Sequence, residues 1–452
     1  MPSSIDGIKI ALCAETKYYS MELRLNNVNR INTADIKVNG LTVIVGPNNS
    51  GKSTIGRTLY SIVKAIANAN FASEEDNDDR LRKHVNSMYS RIRGLRRNDS
   101  LNKLIEMFPR NSTAFIQQIH KAADASAFVH EKEKLIKDLD IVPRQKSLLL
   151  EDVKNIIICL TDNENLAAKL RTELQFLIES EFLNTFCSVE SDKTSVELLS
   201  EGSQKLTFEA RNNSIVEVRC ADNKFVEDAT YVESPLYIHL IEAIIRGSAY
   251  RETEIPYPTL FSMMVPSHIK DMAEKIMSAA RHPIDHKDES SMDLKDVIGG
   301  SFTYDDAVHH IVFRSGKHQY SPLNVASGIK CFGIVDLLEK ANFIGPNRLL
   351  IWDEPENHLH PEWQVLFAEK LVTLAKEGVP VVVTTHSPYF LQAIRFYTAE
   401  SSLGSYVNYY TPETDDNGLS MVKEVTNDLT PVFEKLTRPL DSIMDLNDYD
   451  IR

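Results

Sequence analysis

Three short runs along the chain are apolar almost without a break: Leu41 to Val45, Leu349 to Trp352 and Val379 to Thr384. Runs of that length predict strands buried on both faces, as in the parallel part of a sheet. Met21 to Leu25 and Asp35 to Val38 instead alternate apolar and polar residues, and with Ile8 to Leu12 they predict short strands of an antiparallel sheet. From about Phe71 to Ser191 the β runs disappear and apolar residues take helical spacing, as at Leu135 and Leu139 and at Leu166, Leu170, Leu174 and Leu177. Strand signals return at Val196 to Leu199, Lys205 to Ala210 and Ile215 to Arg219, with Arg211 to Ser214 as a turn. Tyr231 to Pro235 reads as a strand end, Met263 to Arg281 as a helix, and Ser301 to Tyr304 with His310 to Phe313 as a hairpin. The pattern predicts an α/β chain in three segments, 1–70, 71–194 and 195–452. The middle segment is a helical insertion, and the outer two build a mixed sheet flanked by helices with an antiparallel β subdomain.

With 452 residues and 42% hydrophobic content, the length prior is two or three domains and the core is sizeable. No apolar run approaches the roughly 18 residues of a membrane span, and Met1 to Asp6 lacks the basic and apolar regions of a secretory leader. A cytoplasmic protein without a membrane partner is expected. The five cysteines are scattered, with no CxxC and no histidine at zinc spacing, so reduced thiols and no structural metal are expected. A net charge of −14 disfavours adhesion to nucleic acid over the whole surface.

The chemistry starts after the first buried run. Gly46-Pro47-Asn48-Asn49-Ser50-Gly51-Lys52-Ser53-Thr54 is a P-loop, preceded by a strand and followed by a helix expected over Ser53 to Ala65. Glycines let backbone N–H groups curl around a β-phosphate, Lys52 neutralises β/γ charge and the Ser53 hydroxyl ligates Mg²⁺. The helix beginning at Lys52 adds its N-terminal dipole. The second run ends in Trp352-Asp353-Glu354-Pro355-Glu356, placing Asp353 to hold the Mg²⁺ hydration shell and Glu354 to polarise an attacking water. The third ends in Thr385-His386-Ser387-Pro388, so His386 stands at the ligand edge of the sheet and can reach a γ-phosphate. Between them, Ala326-Ser327-Gly328-Ile329-Lys330 opens a helix as a second anion-binding nest.

P-loop, Ser-Gly helix start, Asp-Glu-Pro strand and His strand, in that order, resemble the ATP-binding cassette (ABC) ATPases, in the SMC-like branch with the RecF, OLD-type and bacterial defence ATPases. The match covers about residues 20 to 66 and 320 to 395. It implies a P-loop NTPase of ABC ATPase type using ATP and Mg²⁺. Its Walker A motif would be Gly46 to Ser53, its signature Ala326-Ser327-Gly328, its Walker B aspartate Asp353, its catalytic glutamate Glu354, its D-loop Asn357 to His360 and its switch histidine His386. The signature lacks the second Gly and the Gln of LSGGQ, and His360 stands where many members have Asp. Glu233-Ser234 is the position for the Q-loop. Glu354 to Gln364 and Thr384 to Leu391 look most like anti-phage ATPases, the Septu ATPase subunit first and the PARIS ATPase next. Because the signature of one chain serves the nucleotide of another in this family, the resemblance implies at least a head-to-tail dimer.

No nuclease is readable in the chain itself. Asp448-Tyr449-Asp450 has no room for a Toprim fold around it, and His309-His310 lacks the rest of an HNH site. Cleavage is therefore expected of a partner, an HNH or Toprim nuclease effector. Arg80, Arg82, Lys83, Arg91, Arg93, Arg96 and Arg97 follow the acidic run Glu74 to Asp79 without an intervening acid, and are the expected contact for nucleic acid or for such a partner, if not a solvated helix face. The rival readings are a RecF/SMC-like repair ATPase that clamps DNA, a transporter's ATPase subunit and an anticodon nuclease toxin.

Overall fold

The computed structural model describes residues 20–93, 108–109, 111–122, 124–138, 142–161, 164–191, 193–221, 226–249, 265–282, 294–401 and 403–438. The predicted strand Ile8 to Leu12, Leu139, Arg96, Arg97 and Asp448 to Asp450 lie outside them. The chain divides into two compact units, one of residues up to Lys64 and from Leu174 on, the other of Ala65–Glu173.

The first unit is built on an eleven-stranded sheet in the order β6-β5-β4-β1-β2-β14-β13-β3-β12-β11-β7. Its antiparallel wing comprises β1 (Ser20–Val28), β2 (Ile31–Asn39), β4 (Thr194–Ser200), β5 (Ser203–Arg211) and β6 (Ser214–Cys220). In β1, β2 and β4 buried residues alternate with half-buried or exposed ones, the pattern of a half-covered antiparallel sheet. The parallel part comprises β3 (Leu41–Val45), β7 (Asp228–Val232), β11 (Arg348–Asp353), β12 (Val381–Thr385) and β13 (Val407–Thr414). Every residue of β3 and β12 is buried, as strands covered on both faces must be. β14 (Ser420–Glu424) pairs antiparallel with β13 and parallel with β2, and so joins the two parts. β8 (Ser301–Asp305), β9 (His310–Ser315) and β10 (His318–Tyr320) form a separate three-stranded sheet. The fold is the mixed α/β architecture read from the sequence, a mixed sheet with helices and an antiparallel wing.

The parallel strands all end at one edge, so the turns after β3, β7, β11 and β12 meet there. The helix Lys52–Arg93 leaves that edge and runs 42 residues, well past the predicted Ala65. No Gly or Pro interrupts it between Gly56 and Gly94, and so nothing in the backbone stops it at Ala65. The core of this unit gathers Trp352, Phe332, Phe367 and Phe390 among its largest buried groups.

The second unit is helical. Its core joins Leu81, Val85 and Met88 to Ile119, Val129 and Val153, from the helices Ser112–Lys121, Ala125–Lys137 and Pro143–Thr161. Asn111 and Asp124 cap the first two of these, accepting from the amides of Ala114 and Ala127. Of the basic run, Arg91 is ion-paired with Asp152 at 2.7 Å. No described helix is long and apolar enough to cross a membrane.

Candidate active site

The loop between β3 and the helix Lys52–Arg93 is held at both ends. Gly46 N–H donates to the Thr385 carbonyl at 3.1 Å, and the Ser50 hydroxyl donates to the Pro47 carbonyl at 2.8 Å. Two residues of the loop have positive φ, Asn49 at 64° and Gly51 at 92°. A Cβ at Gly51 would also come 2.5 Å from Ile31 Cδ1, so both backbone and space demand glycine. The loop and the first turn of the helix, residues 48 to 54, line a cavity of 330 Å³ with Asn29, Arg30 and Glu354. No acid stands in that first turn, which leaves the helix dipole free to attract an anion.

Lys52 is buried at the floor. Its ammonium donates to the carbonyls of Gly46 and Pro47, both at 2.9 Å, and lies 3.1 Å from Glu354 Oε1. Glu354 in turn accepts from Asn357 Nδ2 at 3.0 Å and lies 3.4 Å from His386 Nδ1. Burial works against its charge, but the Asn357 hydrogen bond and Lys52 outweigh that and hold its carboxyl below the usual carboxylate range. Its φ of 47° is left-handed, a conformation that non-glycine residues adopt mainly where the surroundings enforce it. Here the enforcement is local: Glu354 N–H donates to both the carbonyl and the hydroxyl of Thr384.

Asp353 ends β11 with both carboxylate oxygens taken by hydroxyls. Thr384 Oγ1 donates to Oδ1 and the Tyr231 hydroxyl donates to Oδ2, the latter at 2.9 Å. His386 sits just past β12, its loop bound by Glu356. That buried carboxylate accepts through Oε1 from the Thr385 hydroxyl and the His386 amide, both at 2.6 Å, and from the Ser387 amide at 3.1 Å. Burial pushes the Glu356 carboxyl up.

The structure thus brings Lys52, Ser53, Asp353, Glu354 and His386 to one edge of the sheet. Ser327 and Gly328 are not among the residues lining the cavity. Ser327 opens the helix Ser327–Lys340 and donates its hydroxyl to the His358 carbonyl at 3.0 Å. A Cβ at Gly328 would come 2.7 Å from Trp363, so packing alone demands glycine there. His360 caps the helix Pro361–Lys376 through its side chain, accepting from Glu362 N–H. Glu233, after β7, bonds Arg57 at 2.9 Å and lies 3.1 Å from His268 Nε2; the His268 contact first, then Arg57, lowers its carboxyl to about 2.

Three residues of this edge escape the motif reading. Glu356 could have been suspected as the second acid of Asp-Glu-Pro-Glu, but its partners lie about one strand and one helix further on. Arg30 sits in the β1–β2 turn, a place with no sequence signal of phosphate chemistry. Tyr231 reads only as an apolar strand residue.

The residues present fit ATP and Mg²⁺. The nest of backbone amides and the helix start suit phosphates, and His386 Nδ1, 3.4 Å from Glu354 Oε1, is buried without a hydrogen-bond partner among the described residues. No described cluster of three His, Cys, Asp or Glu residues could form an all-protein metal cage. A Ser hydroxyl plus one carboxylate is instead the donor set of a Mg²⁺ whose shell is completed by phosphate oxygens and water.

A family model described as an AAA ATPase domain matches residues 21–391. No curated protein matches the chain. Among solved structures it is similar to the SMC head domain from Thermotoga maritima, at 12% identity over 90% of this chain and 98% of that one, with a TM-score of 0.35. The Pyrococcus furiosus Smc head domain with an extended coiled coil, bound to the C-terminal domain of ScpA, gives 12% identity, coverage of 95% and 100%, and a TM-score of 0.38. The ATP-binding cassette of an ABC transporter in its ADP conformation gives 10%, 95% and 98%, and 0.31.

Proposed function

Since the chain belongs to the AAA ATPase domain family, we propose that it hydrolyses ATP between two head-to-tail copies, in the cytoplasm, and through that cycle controls a separately encoded HNH or Toprim nuclease in anti-phage defence. The observation that carries the shared site is the composition of the cavity. It has the P-loop, Lys52 and Glu354 from one chain and neither Ser327 nor Gly328, which supports the resemblance's reading that a second chain brings its Ser327-Gly328 helix start to the γ-phosphate.

In this reading the 48–54 loop cradles the phosphates, and the γ-phosphate competes with Glu354 for the Lys52 ammonium. Glu354, ionised and held by Asn357, accepts a proton from the attacking water. His386 orients the γ-phosphate from the β12 side. Ser53 and Asp353 would hold Mg²⁺, which supplies charge neutralisation at the β- and γ-oxygens. The defence role is supported by the Glu354 to Gln364 and Thr384 to Leu391 resemblance, and Arg80 to Arg97 is the candidate contact for a polyanion.

Phage challenge of cells carrying this gene with its neighbours tests the reading. Wild type should lower plaquing efficiency, and Lys52→Ala or Glu354→Gln should restore it. Sensitivity to DNA damage in a deletion strain, with plaquing unchanged, would favour a DNA-clamping repair ATPase instead. The shared site is tested by mixing. Ser327→Arg and Lys52→Ala chains, each inactive alone, should regain turnover together, and no rescue despite co-assembly would refute it.

A further inference from the structure

Asp353 is pinned from both sides by its neighbouring strands. β11 pairs in parallel with β12 and with β7, placing Asp353 opposite Thr384 and Trp352 opposite Val232. The Tyr231 hydroxyl reaches across from β7 to Asp353 Oδ2 at 2.9 Å. Tyr231 is fully buried, and a phenol hydroxyl at such a position is unfavourable unless it bonds a specific acceptor, so its choice over Phe requires a reason. The acceptor is the carboxylate that the proposed function assigns to Mg²⁺.

The ring itself has no freedom to wander. On the P-loop side it lies against Gly56, where a Cβ would stand 2.9 Å from Tyr231 Cε2 and 3.2 Å from Ile351 Cγ2. Tyr60, from the same helix, meets it edge-on at 6.2 Å. The His268 ring packs against it at 4.6 Å. His268 is clamped between two carboxylates, Glu181 Oε2 at 2.6 Å from Nδ1 and Glu233 Oε2 at 3.1 Å from Nε2, and its amide donates to Glu181 Oε1 at 2.9 Å. Arg57 closes the chain by donating to Glu233 Oε1 at 2.9 Å.

We propose that Tyr231 is a positioning residue for the metal-binding aspartate: packed against Gly56 and the clamped His268, it fixes the Asp353 carboxylate through its hydroxyl and so sets the affinity for Mg²⁺. It touches neither substrate nor metal. A hydrogen-bonded carboxylate oxygen keeps a second lone pair, so the bond orients Asp353 without blocking its use as a ligand. Partners of this kind behind a ligand typically govern metal affinity by about 10- to 100-fold. The proposal rests on the Mg·ATP reading of the site.

The test uses the full chain with Tyr231→Phe, which deletes only the hydroxyl. Two quantities are read: the Mg²⁺ concentration for half-maximal ATP turnover, and the affinity for a fluorescent non-hydrolysable ATP analogue with Mg²⁺ and with EDTA. The expected result is a rise of about 10- to 100-fold in the Mg²⁺ half-saturation, loss of most of the Mg²⁺-dependent gain in analogue affinity, and unchanged affinity in EDTA. Gly56→Ala, which pushes the ring from the helix side without touching the hydroxyl, should shift both quantities in the same direction, and it decides the matter if Tyr231→Phe does not fold. Unchanged Mg²⁺ dependence, with only a lower Tm, would overturn the proposal. If the wild type showed neither turnover nor Mg²⁺-dependent analogue binding, the Mg·ATP reading would fail and the positioning role with it.

Discussion

Glu356 offers the sharpest check on how the His386 loop is built. Its Oε1 gathers three donors, and the side chain is 3% exposed. Replacing it with Ala orphans the Thr385 hydroxyl and the His386 amide, whereas the Ser387 amide keeps a second acceptor, Thr385 Oγ1 at 3.0 Å. Two buried donors left unsatisfied cost about 1–3 kcal/mol each, so Glu356→Ala should lose about 2–6 kcal/mol. That is a large share of the roughly 5–15 kcal/mol that holds a domain folded. Glu356→Gln keeps an acceptor oxygen and sheds a charge that burial disfavours, so its loss should be about 1 kcal/mol or less. Urea unfolding of the three proteins, with ATP turnover measured on the same samples, reads both consequences. Turnover should fall in Glu356→Ala even at urea-free conditions where the protein remains folded, since His386 loses its anchor. A Glu356→Ala protein within 1 kcal/mol of wild type, or one less perturbed than Glu356→Gln, would refute the reasoning.

Lys52→Ala should abolish ATP binding, while Glu354→Gln should bind ATP and turn it over at least 100-fold more slowly; a wild-type rate in Glu354→Gln would remove Glu354 from its role as base. Arg30→Ala, deleting a cation that lines the cavity, should weaken ATP affinity about tenfold or more, since a hydrogen bond to a charged group contributes about 1.5–3 kcal/mol, and equilibrium binding reads it directly. The Glu233–His268 contact should stabilise within a window of pH. Glu233, lowered from 4.5 to about 2, contributes above 4.5 and loses that as pH falls; His268, raised from 6.5, contributes below 6.5 and loses it as pH rises. The Tm gap between wild type and His268→Gln should therefore be widest between pH 4.5 and 6.5. A gap that does not vary with pH would count against it.

The buried strands β3, β11 and β12 were legible because each is a short apolar run closed by a chemically unusual turn, and local order alone identifies P-loop, Asp-Glu-Pro and His. β13 and β14 were not. β13 carries Asn408 and Pro412, and its place in the sheet is set by its neighbours β3 and β14. The strand order itself defeats local reading: β2 and β3 are separated by Gly40 alone in sequence, yet β14 and β13 stand between them in the sheet. The long helix Lys52–Arg93 was legible in principle from its lack of Gly and Pro, but the change of composition at Phe71 masked it. Tyr231, Glu356 and Arg30 gain their meaning from partners brought together by folding, which no spacing along the chain encodes.

The same strand order fixes when, during synthesis, the nucleotide site can exist. β3 emerges from the ribosome early, but its two neighbours are β12 and β13, residues 381–385 and 407–414. At about 5–20 residues per second, the P-loop waits about 20 to 70 s for the strands that hold it in place. Until then its backbone amides have no scaffold and Lys52 has no Glu354. A nascent chain of this protein therefore gains competence for ATP only after residues 381–385 and 407–414 have been made, however early its P-loop emerges.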